Sequence, residues 1–154
     1  MGQGLSRHDF RLRHAPAAVA INEKRTPDVL RAIWEANDGR GVDVAVMAAG
    51  SPSALELGLA SLRARGRLVV FSAVHGAASV DWFRLHTQEL EILGACNDEN
   101  LIDAAHERLA DAELRLSSLV THRVPFAQWS RGFELARHAK DEALKVALLF
   151  GEET

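Results

Sequence analysis

Val42-Asp43-Val44-Ala45-Val46-Met47-Ala48-Ala49-Gly50 is an almost unbroken apolar run, and it gives way at once to Ser51-Pro52, a helix-opening pair. A run of this kind is expected of a strand covered by helices on both faces, which makes it the best placed central strand of a parallel sheet. Its length also matters. At nine residues it is far short of the roughly 18 needed to cross a membrane as a helix.

Short β-type runs and helical patterns alternate around it, which is the signature of βαβ units. Ala17 to Ile21 reads as a buried strand, followed by Thr26-Pro27-Asp28 as N-cap, first-position proline and acidic first turn of a helix bearing Leu30, Ile33 and Trp34. Asp38-Gly39 and Gly41 stop that helix. After the central strand, Ser51-Pro52 opens a second helix, with Ser53 and Glu56 as a capping box in another register. Its inner face carries Leu55, Leu59 and Leu62, and Gly66 ends it. Arg67 to Ser72 and Glu91 to Cys96 are further strands, separated by a helix beginning at Asp81-Trp82-Phe83. Asn97 or Asp98 caps a helix with Leu101, Ala105 and Leu109 at four-residue spacing. Beyond Leu116 come a strand over 119–124, a helix from Pro125 with Phe126, Trp129 and Phe133 on one face, and a final strand over 144–150. The first sixteen residues hold five Arg and His side chains and no clean period.

Composition narrows the partners. Eighteen Lys and Arg against 21 Asp and Glu leave a formal charge of -3 with no sustained basic block, so no nucleic-acid partner is expected. No segment is apolar enough to span a membrane, and the N-terminus lacks a secretory core. Cys96 is the single cysteine, which excludes an internal disulfide framework and fits a reducing, cytoplasmic setting. Gly2 with Ser6 matches the myristoylation pattern, against the plainer alternative of an ordinary N-terminus; one acyl chain gives only marginal membrane binding.

Ligands of open parallel sheets lie beyond the carboxyl ends of the strands. That geometry singles out Ala48-Ala49-Gly50, Ser72-Ala73-Val74 and Gly94-Ala95-Cys96, where small residues let a flat or extended ligand reach the backbone. The alternative is that each is a tight strand-to-loop transition. Neither G-x-G-x-x-G nor G-x-x-x-x-G-K-[ST] occurs, and Gly39-Arg40-Gly41 sits on the wrong connection, between helix and strand. The seven histidines form no HExxH, so no zinc ligation is assigned. His75 alone follows a strand end closely enough to reach a ligand, solvent exposure being the other reading. Lys145 interrupts an apolar strand and either meets an anionic cofactor or emerges at an edge. No nucleophile elbow is present, and no catalytic residue is assigned.

Six segments in order carry a resemblance. Gly39-Arg40-Gly41-Val42-Asp43-Val44 through Gly50-Ser51-Pro52, Ala54-Leu55-Glu56, Gly66 to Val70, Glu89 to Gly94, Leu119 to Pro125, and Phe133 to Ala136 with Lys145-Val146 are together similar to the later part of the medium-chain dehydrogenases, the zinc-type alcohol, sorbitol and threonine dehydrogenase superfamily. The resemblance covers residues 17–150. It implies an α/β, Rossmann-like, mostly parallel sheet lacking the first βα unit, divided into an N-terminal segment 1–16, a partial cofactor domain 17–116, and a C-terminal return element of the catalytic domain 117–154.

The function so implied is hydride transfer between an alcohol or polyol carbon and NAD or NADP. Zinc would enter only through a domain not in this chain, and the isolated chain would be a poor catalyst. By strand correspondence the cofactor contacts fall on Ala48, Ala49, Gly50, Ser72, Ala73, Val74, Gly94 and Ala95. Met47 stands at a commonly acidic position and Ser72 at a commonly glycine one. In the strand order 3-2-1-4-5-6, residues 17–150 would provide strands three to six, leaving an apolar edge at Val42. A homo-oligomer, a companion chain, or residues 1–21 folding into the gap would cover it. A second association edge is implied near Ala78-Ser79-Val80. If Leu5-Ser6-Arg7 closed the second strand, Arg7 and the missing acid would suit a 2′-phosphate, with Asp9 close by as the opposing signal. A non-catalytic nucleotide binder, or a module that completes a partner's sheet, is the alternative function.

Overall fold

The structure, a computed structural model, describes residues 2–15, 17–96, 100–138 and 142–151. Two compact units divide the chain, one of residues 26–99 and one of residues 1–25 with 100–154.

In the 26–99 unit, α2 (Val29–Glu35) precedes β3 (Val42–Met47), α3 (Pro52–Ser61), β4 (Leu62–Val70), α4 (Trp82–Thr87) and β5 (Glu91–Gly94). The strands form a three-stranded sheet ordered β3-β4-β5, parallel throughout, with Val44 to Met47 opposite Arg67 to Val70, and Arg67 to Val70 opposite Glu91 to Gly94. Its core is Met47, Leu59, Leu62, Leu68 and Leu90, flanked by Val42, Ala45, Leu55, Val70 and Leu85. Gly58 lets α3 lie close on β4, since a Cβ there would stand 2.8 Å from Leu68 Cδ1.

Capping matches the sequence at α3 and shifts at α2. Ser51 accepts the Ala54 N–H at 3.2 Å with Pro52 in the first turn. Asp28, not Thr26, caps α2 through the Arg31 N–H, so the helix opens at Val29, two residues beyond Pro27. Glu56 accepts the Ser79 N–H at 3.2 Å and so serves the loop before α4 instead of closing a capping box. The helix expected to run to Gly66 ends at Ser61, because Leu62, 1 % exposed, already pairs with Val42.

Coverage on both faces is not what β3 has. It is the edge of its sheet, and while Met47 is buried, Val44 is 52 % exposed and Val46 65 %. Helices α3 and α4 supply the partners of the Ala45 and Met47 side only.

In the other unit, the first sixteen residues hold two elements that their sequence period does not announce. β1 (Gln3–Ser6) pairs in parallel with β2 (Val19–Asn22), and α1 (Asp9–His14) connects them. The Gly2 carbonyl receives the Ala18 N–H at 2.9 Å, so the acylation-like start of the chain is engaged in this pairing. Asn22 and Arg25 both bind Asp9, fixing α1 to the end of β2. The β1–β2 pairing adds a strand, Gln3–Ser6, from the N-terminal segment in which the sequence shows no clean period.

The same unit holds α5 (Ile102–Leu109), β6 (Val120–Pro125), α6 (Trp129–His138) and β7 (Lys145–Leu149). The residues Asn97 and Asp98 lie outside the described ones. Leu101 and Leu109, which share a four-residue spacing, are 61 % and 65 % exposed, and no described residue of α5 is buried. β6 and β7 pair in parallel and α6 packs on them through Gly132, where a Cβ would meet Leu148 Cδ2 at 2.7 Å. Phe126, Trp129 and Phe133 remain exposed. Lys145 stands exposed at the first position of β7.

Candidate functional site

Residues 48–50, 72–74 and 94–95 follow β3 and β4 and close β5, so the parallel register brings all eight to one end of the sheet. Backbone hydrogen bonds stitch that end laterally. The Met47 carbonyl accepts both the Phe71 and Ser72 N–H groups at 3.1 Å, and the Val70 carbonyl accepts the Ala95 N–H at 3.0 Å.

Gly50 and Ala73 meet backbone to backbone. A Cβ on Gly50 would stand 2.4 Å from the Ala73 carbonyl oxygen, so glycine is required by the approach itself. Gly94 differs, because a Cβ there would find nothing within 4 Å. Packing accounts for the glycine at 50, and open space surrounds the one at 94. Ala48, Ala49, Gly50, Ala73 and Gly94 are exposed, while Ser72, Val74 and Ala95 are half-buried.

Charge is segregated along the strands. At their amino ends Arg63 binds Asp43, Arg65 binds Glu89 and Arg67 binds Glu91, the last two at 2.6 and 2.7 Å. The Arg63 hydrogen bond, and then its charge, hold the Asp43 carboxyl below its ordinary value. Hydrogen bonding by Glu89 and Glu91 raises Arg65 and Arg67 above theirs. The carboxyl ends carry no ionisable side chain among the eight residues. This rim offers backbone groups, the Ser72 hydroxyl and small contact surfaces, which orient a ligand but neither donate nor accept a catalytic proton.

Beyond Gly50, Ser51 opens α3 toward the same end of the sheet. Met47 turns into the core at 5 % exposure and contributes no surface to the rim. His75 and Cys96 are exposed. Phe71, 63 % exposed beside Ser72, is a rim residue that sequence reasoning passed over; its signal was an aromatic closing an apolar run. The open space at Gly94 and the exposed small residues fit the flat face of a dinucleotide. Zinc is another matter. Among the described residues no three His, Cys, Asp or Glu side chains converge to hold a metal ion.

The family model for zinc-binding dehydrogenases matches residues 6–111. The chain belongs to that family. A sorbitol dehydrogenase of Bacillus subtilis is 34% identical over 134 residues, covering 84% of this chain and 37% of its own length. An erythritol/L-threitol dehydrogenase of Mycolicibacterium smegmatis is 30% identical over 123 residues, 79% of this chain and 34% of its own. Among solved structures, one described as a short chain alcohol dehydrogenase of E. coli CFT073, complexed with the cofactor NADH, has a TM-score of 0.78 at 25% identity, covering 96% of this chain and 44% of that one. The zinc-binding dehydrogenase chain thus spans little more than a third of the length of these curated relatives. Its α/β architecture with parallel sheets is that of the family's Rossmann-like cofactor domain. No helix among the described residues is long and apolar enough to cross a membrane.

Proposed function

We propose that this chain is the C-terminal, cofactor-binding portion of a zinc-type dehydrogenase acting on alcohols or polyols, and that it does not turn over substrate alone. The observation that carries this reading is the rim built from residues 48–50, 72–74 and 94–95, stitched through the Met47 and Val70 carbonyls and left open at Gly94. NAD or NADP, when bound, supplies the hydride acceptor. The chain's own part is to hold and orient it: backbone groups at Ala48, Ala49 and Gly50 and at Ala73 to Val74 present close contact surfaces, and Gly94 and Ala95 border the third side.

In this reading zinc enters through a segment outside this chain; among the described residues no donor set for it converges. A cytoplasmic setting agrees with Cys96 as a free thiol. The test is direct. Purified chain with alcohols or polyols, NAD or NADP and zinc is expected to show no turnover above background, and calorimetry with NADH is expected to show micromolar binding. Clear turnover would overturn the claim of incompleteness, and absence of NADH binding would overturn the cofactor role.

A second reading is favoured by the exposed Val44 and Val46 on the edge strand β3. Parallel sheets are ordinarily covered on both faces, and open apolar edges invite association. The chain would then complete a sheet with a companion chain or a second copy. A stable dimer that fails to bind NADH would select this role over the first.

A further inference from the structure

We propose that the aromatic side of α6 is an isologous interface, on which a second copy of this chain docks about a two-fold axis. The inference goes beyond the cofactor reading and stands apart from it.

Phe126, Trp129 and Phe133 recur at three- and four-residue spacing, which places them on one side of the helical segment that leads into and through α6. Apolar residues so spaced ordinarily mark the face a helix turns toward its own core. Here Gly132 occupies that face. It is buried on β6 and β7, where a Cβ would stand 2.7 Å from Leu148 Cδ2 and 3.8 Å from both Val124 and Val146. The helix thus seats its smallest residue against the strands and leaves the aromatic side chains outside.

Those side chains are already ordered. Phe150, just past β7, stacks on Phe126 with ring centroids 4.3 Å apart, and Trp129 meets Phe133 edge to face at 6.0 Å. Rings fixed in pairs before a partner arrives lose little further freedom on docking.

Area and charge point to the same occupant. Phe126, Trp129, Phe133 and Phe150 are 46 %, 53 %, 63 % and 76 % exposed. At about 200 Å² for a whole aromatic side chain, they present roughly 500 Å² of apolar surface. Doubled across a two-fold axis, that is about 1,000 Å², the apolar centre of a standard interface, which buries roughly 1,200–2,000 Å² with its polar rim included. One turn beyond Phe133 the same side of the helix carries Arg137, with Glu134 beside it, both exposed. A surface that meets its own copy must be self-complementary, and a border of mixed sign satisfies that, whereas a nucleic acid or an anionic membrane calls for positive charge alone.

The experiment is sedimentation equilibrium of the full chain through the micromolar range. Expected is a monomer–dimer equilibrium whose dissociation constant rises about thirtyfold in Phe133→Glu, as loss of an aromatic anchor gives. Because Phe133 is exposed, that variant should keep the parental circular dichroism spectrum and Tm. Val46→Asp, on the exposed edge strand β3, should leave the dimer as it is. Amide exchange over residues 126–138 should be slower at concentrations where the dimer forms than on dilution. A chain that stays monomeric throughout, or a dimer that Val46→Asp dissolves and Phe133→Glu leaves intact, would overturn the inference. Titration of the same samples with NADH judges the cofactor reading separately.

Discussion

Gly50→Ala tests the site at its tightest point. The new Cβ would stand 2.4 Å from the Ala73 carbonyl oxygen, whereas ordinary contact begins at 3.4 Å. About 1 Å must then open between two stretches of backbone, neither of which can yield by a rotamer change. The 71–73 side is tied down, since the Phe71 and Ser72 N–H groups both bind the Met47 carbonyl at 3.1 Å. The 50 side leads directly into the Ser51 cap of α3. Overpacking of this kind costs about 1 to 3 kcal/mol. For a chain of this size that lowers Tm by roughly 2 to 12 °C. Because the displaced segments are the rim itself, NADH affinity should fall about tenfold or more, equivalent to about 1.4 kcal/mol of lost contact.

Gly94→Ala separates the two effects. A Cβ there meets nothing within 4 Å, so Tm should be unchanged while NADH binding weakens if that space belongs to the cofactor. Thermal unfolding by circular dichroism and NADH titration of both variants decide the matter. A Gly50→Ala protein with parental Tm and parental affinity would refute the reasoning.

Two further outcomes are expected. Arg84 donates from its guanidinium to the Leu59, Ala60 and Leu62 carbonyls at 3.0, 3.2 and 2.9 Å, closing the C-terminal end of α3; Arg84→Met, which keeps the stem, should cost about 2 to 4 kcal/mol in urea unfolding, and a change under 0.5 kcal/mol would contradict this role. Arg63 depresses the Asp43 carboxyl, so the pair's contribution to stability is present above the unfolded value of about 3.9 and lost as pH falls through the lower native value. In Arg63→Ala the Asp43 titration followed by NMR should move up toward about 3.9, and an unmoved titration would contradict the assignment.

Much of the sheet could be read before the structure. The run from Val42, the Ser51-Pro52 opening and the Leu59, Leu62 and Leu68 core are local signals, each set by neighbours a few residues away. What escaped depends on distant partners. β1 and α1 are only four and six residues long, and Asp9 is fixed by Asn22 and Arg25, thirteen and sixteen positions on, through contacts that no period encodes. The boundary between α3 and β4 was misplaced because Leu62 satisfies the helical spacing of Leu55 and Leu59 as well as the strand that follows. Coverage of β3 was overestimated for the opposite reason: its composition is that of a strand buried on two faces, and this chain provides cover for one. The eight rim residues are a proposal that rests on sheet geometry and family resemblance together. Their close approach at Gly50 and Ala73 needed coordinates.

The separation of charge along β3, β4 and β5 has a practical result. Three ion pairs gather at the amino ends, while the opposite rim has no ionisable group among its eight residues. Added electrolyte weakens exposed pairs and leaves neutral backbone contacts nearly untouched. Salt therefore acts selectively on this sheet, loosening the border that holds the three ion pairs while the backbone groups of the opposite border stay as they are.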